Sequence, residues 1–335
     1  MDYSETALIS DKITIKNAFR EIKAEDIVSS VLQGLLSAPR HISSMHFYDT
    51  AGSKLFEKIT ALPEYYLTSS EKKMLQKNGA SISEKFLNRD VVELGSGDCS
   101  KISILFDGLS ADELKSIRYI PLDISFEAVR QSALTLNSRY PDLIVSGIIA
   151  DFTKQLSEIP KDKSRYFLLL GSTIGNFTPE QCCSFLTLLS QNMGPDDLFL
   201  IGIDLVKDET VIHKAYNDSQ LVTAAFNRNI LNVINSIAKT NFKPDLFNHY
   251  AFFNHIYSRV EMHLRASEDM CVCSPYLSQS LLLKKGDMIH TENSYKFTMP
   301  QICKIVESAG LAVNSCISDK NRYYSLVTVS KKRQV

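Results

Sequence analysis

The chain has 335 residues, 44% hydrophobic and 22% charged, which is enough apolar material for one large or two modest domains. Its formal net charge of -1 lacks the basic excess of a phosphate-tracking protein, which argues against nucleic acid as a partner. The start, MDYSETALISDKITIK, has no apolar signal core, and no charge-free run approaches the ~18 apolar residues of a membrane span.

Residues 1 to 75 read as mostly helical, including AEDIVSSVLQGLL (24 to 36). Short apolar runs then alternate with helical segments. DVVELG (90 to 95) precedes a helix over Lys101–Phe106, YIPLDI (119 to 124) precedes one over Phe126–Asn137, and VSGIIADF (145 to 152) follows. YFLLLG (166 to 171) leads to a helix over Pro179–Met193, with Thr178 as N-cap and proline first, and LFLIGID (198 to 204) closes the series. Such runs predict parallel strands buried on both faces, in an α/β doubly wound sheet whose ligands sit at the carboxyl ends of the strands.

Beyond residue 207 come long helical stretches such as TAAFNRNILNVINSIAK, then the strand-like SRVEMHLRA and SLLLKKG. After Phe297 a helix, PQICKIVESAGL, and a terminal strand, YYSLVTVS, return to the earlier pattern. This order predicts a sheet domain from 76–205 and 297–335, with a smaller discontinuous domain from 1–75 and 206–296. The seven cysteines (Cys99, Cys182, Cys183, Cys271, Cys273, Cys303, Cys316) are scattered and form no paired metal-ligand motif. They read as free thiols of a reducing cytoplasm.

The turn in VVELGSGDCSK (91 to 101) brings backbone at Gly95, Ser96 and Gly97 close to a ligand, because glycine has no Cβ to block approach. Asp123 ends the next strand, where a carboxylate can accept from ribose hydroxyls, and Asp151 with Phe152 ends the one after. A dinucleotide fingerprint needs a third small residue where Ser100 stands, a requirement that serine nearly meets, so the turn alone does not decide. Asp123 also lies 28 residues after Gly95, farther than the roughly twenty of a nicotinamide-binding unit. The ELGSG turn followed by an acidic strand end resembles the S-adenosylmethionine site of Rossmann-like methyltransferases. The plain structural alternatives are a tight turn and helix-capping aspartates.

Longer stretches carry a sharper resemblance: FYDTAGSKLFEKITALPEYYLTSSE (47 to 71), YIPLDIS (119 to 125), LLGSTIGNF (169 to 177), RVEMHL (259 to 264) and IHTENSYKF (289 to 297). From about residue 25 onward the chain resembles the histidine Nα-methyltransferases of ergothioneine biosynthesis, which convert L-histidine to hercynine. The resemblance implies a Rossmann-like class I methyltransferase sheet with a smaller substrate-binding domain, S-adenosylmethionine as cofactor and S-adenosylhomocysteine as product. It places Gly95, Lys101, Asp123, Asp151 and Phe152 at the cofactor, and Tyr48 close to both cofactor and substrate amine. Asn176 and Tyr216 are implied to grip the substrate carboxylate, with Gly171 at the mouth of the site. Tyr65, Met262, Glu292 and Ser294 are implied around the imidazole and Phe56 as an aromatic wall. One departure is Leu67-Thr68-Ser69, where many family members have Pro-Thr-Arg after the paired tyrosines.

The residues support that reading on their own chemistry. Glu292 and Ser294 are two apart in a strand-like segment and share a face, so one can accept from and the other donate to the two nitrogens of a neutral imidazole. That suits histidine rather than tryptophan. Asn176 after a strand end can donate to a carboxylate; a turn-forming asparagine and the NPPY loop of adenine methylases are the alternatives. His263 reads as a satisfied core histidine, and Glu71 with Lys72 as a charged helix face. The expected reaction is three in-line methyl transfers to one α-amino nitrogen, with the amine neutral before each attack, Tyr48 orienting it, Tyr48, Asn176 and Tyr216 as the catalytic set, and no metal. Cation–π attraction to Phe56 and Tyr65 favours the growing charge. The alternatives are another amino-acid substrate, a non-catalytic S-adenosylmethionine-binding protein, and a dehydrogenase. A monomer with no nucleic-acid or membrane partner is expected.

Overall fold

The computed structural model describes residues 6–19 and 23–332. The chain divides into two compact units, one of Met1–Arg20, Ser70–Leu205 and Phe297–Val335, the other of Glu21–Ser69 and Val206–Lys296.

The first unit is built on a nine-stranded sheet, in the order Thr6–Ser10, Ile13–Asn17, Ile144–Ile149, Arg118–Asp123, Asp90–Leu94, Arg165–Leu169, Leu198–Asp204, Tyr324–Lys331, Leu311–Ser318. Pairing is parallel from Ile13–Asn17 through Leu198–Asp204, and antiparallel for the hairpins at the two edges. Every residue of Asp90–Leu94 and Arg165–Leu169 is buried, as strands covered on both faces require. The order reverses beside Asp90–Leu94, whose neighbours lead to Arg118–Asp123 on one side and Arg165–Leu169 on the other. That is the switch point at which an open α/β sheet holds its ligand.

Its helices begin where their caps dictate. Ser125 accepts from the Ala128 N–H at the head of Phe126–Arg139. Thr178 and Gln181 form a capping box before Pro179–Asn192, with Pro179 at the first position.

Two expectations change here. Residues 6 to 17 form a hairpin rather than helix: Ile13 and Ile15 are buried while Thr14 and Lys16 face outward, a period of two. This hairpin therefore belongs to the sheet unit and not to the smaller one. The edge strand Leu311–Ser318 was not predicted, because at the rim only Leu311 is fully buried and the run carries no continuous apolar signal.

The second unit combines the helices Ala24–Leu36, Thr50–Ala61, Glu209–Tyr216 and Val222–Ala238 with a three-stranded antiparallel sheet, ordered Met288–Tyr295, Arg259–Ala266, Phe247–Asn254. Val222–Ala238 buries Phe226, Asn227, Ile230, Leu231 and Ile234, the stripe of an amphipathic helix. On the central strand Val260, Met262, Leu264 and Ala266 alternate onto one buried face. The register slips between His290, opposite His263, and Glu292, opposite Met262. Without that bulge Glu292 would face the Glu261 side; with it, Glu292 and Ser294 share the face of Met262 and Val260. The extra residue, Thr291, is pinned by its hydroxyl, whose single hydrogen is directed to Asn227 Oδ1 at 2.7 Å, with the Met262 carbonyl a second acceptor at 3.1 Å.

Candidate functional site

In the first unit, Gly95 (φ +69°), Gly97 (+54°) and Cys99 (+54°) all take left-handed backbone in the turn after Asp90–Leu94. A Cβ at Gly95 would lie 3.6 Å from the Phe152 ring, whereas at Gly97 it would meet nothing within 4 Å. Gly97 thus leaves open backbone beside Asp123, whose carboxylate accepts weakly from the Gly97 N–H (3.4 Å) and from Ser125 N–H (3.0 Å). Burial pushes the Asp123 carboxyl above its ordinary value. Asp151 differs. Burial raises it, but Thr153 and Lys154 outweigh that and hold it below the usual carboxylate range. Phe152 packs with Phe177 and Phe185, at 6.3 and 5.7 Å between ring centroids.

Lys101 reaches Glu71, which the sequence places on a charged helix face. Glu71 is fully buried. Its oxygens accept from the Gly171 N–H (2.9 Å to each), the Tyr324 hydroxyl (2.6 Å) and Lys101 Nζ (2.8 Å). Gly171 is left-handed (φ +78°), and a Cβ there would stand 2.8 Å from Lys101 Nζ. The correction has a visible cause: Glu71 lies on the helical stripe of Met74 and Leu75, three and four residues on, while Lys73 takes the exposed side. A second missed acid, Glu93 of the ELGSG run, is buried and accepts from the Tyr119 hydroxyl at 2.5 Å. Burial pushes it up to about 8, against Tyr119 and Lys101. Asn176 ends the 3₁₀ turn Thr173–Asn176 after Gly171, half-buried, with no side-chain hydrogen bond among the described residues.

These residues fit S-adenosylmethionine. Ser96 Oγ is buried in the GSG turn without a partner, Gly97 is open, Asp123 is a part-buried acceptor, and Lys101 supplies a cation. Of the six expected cofactor residues, Gly95, Lys101, Asp123, Asp151 and Phe152 belong to this unit, as do Gly171 and Asn176, whereas Tyr48 belongs to the second.

The remaining expected residues, Tyr48, Phe56, Tyr65, Tyr216, Met262, Glu292 and Ser294, all belong to the second unit. Four are linked by ring contacts: Tyr48 to Phe56 at 5.7 Å, Phe56 to Tyr65 at 6.5 Å, and Tyr65 to Tyr216 at 6.3 Å, all edge-on. Phe226, which the sequence reading passed over, touches both Tyr48 and Phe56 and stacks on Phe47. Tyr216 donates to Ser294 Oγ at 2.7 Å. Lys296, also passed over and only 1% exposed, donates to Tyr216 Oη at 2.9 Å and to Ser294 Oγ at 2.8 Å. Glu292 makes no hydrogen bond among the described residues; burial pushes its carboxyl up to about 7, against the pull of Lys296. Met262 is buried opposite it.

His263 is not the satisfied core residue expected. It lies on the opposite face of this sheet, stacked on Phe252, with Nδ1 unpartnered, and burial holds it down to about 4.

A parallel sheet closed by an antiparallel hairpin, with a glycine turn and acidic strand ends at its switch point, defines a Rossmann-like methyltransferase that uses S-adenosylmethionine. The profile described as "Histidine-specific methyltransferase, SAM-dependent" matches residues 27–331, and the chain belongs to that family. It is 38% identical over 288 residues to the histidine N-alpha-methyltransferase of Mycolicibacterium smegmatis, covering 86% of this chain and 89% of the relative. The Mycobacterium tuberculosis protein of the same name is also 38% identical, over 84% of this chain and 87% of its own. A 4-dimethylallyltryptophan N-methyltransferase of Claviceps purpurea is 25% identical over 86% of this chain and 90% of its own.

Proposed function

We propose that this enzyme methylates the α-amino nitrogen of L-histidine three times, giving hercynine for ergothioneine synthesis. The observation that carries the reading is the bulge that sets an acceptor, Glu292, and a hydroxyl, Ser294, side by side on one face of Met288–Tyr295. An imidazole offers one N–H and one lone pair to such a couple; an indole offers only an N–H. The names of the mycobacterial relatives point to the same substrate and the same nitrogen.

When bound, S-adenosylmethionine supplies a methyl group on a sulfonium and leaves as S-adenosylhomocysteine. We assign Gly95, Lys101, Asp123, Asp151 and Phe152 to holding it, and the first unit to that task. The second unit takes the histidine ring through Glu292, Ser294, Met262 and Tyr65. Asn176 and Tyr216 take its carboxylate, and Tyr48 orients the amine. Fixing both ends of the amino acid leaves its nitrogen free to turn between transfers. The ring faces of Tyr48, Phe56 and Tyr65 favour the ammonium charge that accumulates, worth about 0.5–1 kcal/mol at exposed rings and more where desolvated. The reading takes the enzyme as a cytoplasmic monomer; no helix among the described residues is long and apolar enough to cross a membrane.

Glu292→Ala tests the ring assignment. It is expected to lose the preference for histidine over other amino acids, and intact histidine turnover would overturn it. Asn176→Ala, with cofactor binding preserved and product formation lost, separates an enzyme from a protein that merely binds the cofactor.

A further inference from the structure

Ser294 and Tyr216 are hydroxyls, and a hydroxyl can donate or accept. Recognition of a ring lone pair requires that Ser294 donate toward the substrate. Lys296 bears on that choice. Its ammonium has hydrogens to give and no lone pair to receive one, and it stands 2.8 Å from Ser294 Oγ and 2.9 Å from Tyr216 Oη, also lying over the Tyr216 ring at 4.9 Å. Neither hydroxyl can therefore point its hydrogen at Lys296. Tyr216 sends its own to Ser294, whose oxygen then accepts twice, leaving the Ser294 hydrogen to point elsewhere.

We propose that Lys296 is a specificity-determining positioning residue: by donating to Ser294 Oγ, together with the Tyr216 hydroxyl, it turns the Ser294 hydrogen outward and makes Ser294 a donor to the unprotonated ring nitrogen. This rests on the histidine reading above. Glu292 remains the one acceptor of the group, so the ring is read as one N–H and one lone pair. Glu292 and Ser294 are two apart on Met288–Tyr295, and Lys296, the residue just past its end, is held by its backbone N–H on the Ser258 carbonyl at 2.8 Å. At 1% exposure the ammonium is not a surface charge that happens to lie nearby.

The test is a double-mutant cycle on Lys296→Met and Ser294→Ala, read as KM and kcat for histidine, with S-adenosylmethionine affinity measured separately by calorimetry. Each single variant is expected to raise the histidine KM about tenfold or more, the weight of a hydrogen bond involving a charged group, with kcat within about threefold and cofactor affinity unchanged. If Lys296 acts through Ser294, the double variant is no more than about threefold worse than the poorer single one. Lys296→Gln, whose amide still donates, is expected to fall between wild type and Lys296→Met, and it carries the same test should the methionine variant not fold. Effects that multiply, an unchanged KM, or a fall in kcat or cofactor affinity alone would each overturn the proposal. Wild-type protein inactive on histidine would overturn the histidine reading and this inference together; activity on histidine with multiplying effects overturns this one alone.

Discussion

Glu71 and Glu292 are both glutamates sheltered from water, one in each unit, and they differ in what meets their oxygens. Glu71 is saturated by a backbone N–H, a phenol and an ammonium, and it ties a helix to the Gly171 turn, to Lys101 and to Tyr324. Glu292 has no donor of that kind among the described residues, and burial raises its carboxyl to about 7. A saturated carboxylate holds protein to protein. An unsaturated one, kept beside a hydroxyl on the same face, is suited to a ligand that brings its own N–H.

The comparison breaks most readily at Glu71. Glu71→Ala strands the Gly171 N–H and Lys101, and is expected to cost about 3–5 kcal/mol in chemical denaturation, as for one partner removed from a buried pair. A loss under about 1 kcal/mol would mean that the network is not structural. Gly171→Ala comes next. The left-handed backbone and the approach to Lys101 predict a cost of about 1–3 kcal/mol and weaker S-adenosylmethionine binding by calorimetry, with unchanged binding counting against the turn's place in the site.

Glu292→Gln should act in the opposite sense on stability. With its folded-state carboxyl near 7 against an ordinary 4.5, the folded protein holds this proton more tightly than the unfolded chain. That stabilisation is present below about 4.5 and lost as pH rises to about 7. The variant lacks the slope, and at pH 8 it should be more stable than wild type by about 1–2 kcal/mol, allowing for the group's partial exposure. Glu93, titrating near 8, keeps a slope of the same sign in both proteins. Denaturant midpoints of wild type and variant at pH 5 and pH 8 decide it: equal differences at both would remove Glu292 as an unpaired acid. The smallest stability effect is expected for Asn176→Ala, within about 0.5 kcal/mol, since its amide bonds nothing in the described chain. Its histidine KM should nonetheless rise; a large stability loss would show the amide to be structural.

How legible each residue was depended on whether its burial had a period. Asp90–Leu94 and Arg165–Leu169 announced themselves as unbroken apolar runs, and Thr178-Pro179 marked its helix by cap chemistry. Glu71 was readable too, from its place on the stripe with Met74 and Leu75, but its charge and its lysine neighbours argued for the surface. Lys296 shares the two-residue period of Glu292 and Ser294, and the same bias hid it. The bulge at Thr291 left no mark in sequence. The pairing of Glu292 with Ser294 needs only their spacing, whereas the face they occupy depends on one extra residue held by Asn227, from a helix more than sixty positions away. Phe226 was masked because an aromatic on an amphipathic helix is ordinarily core.

The central claim is that the acceptor is histidine and the donor S-adenosylmethionine. The most direct measurement is mass spectrometry of purified enzyme incubated with S-adenosylmethionine and an equimolar mixture of the protein amino acids. The account predicts stepwise gain of one, two and three methyl groups on histidine and on no other component. Methyl transfer to a different amino acid, or to none, would contradict it.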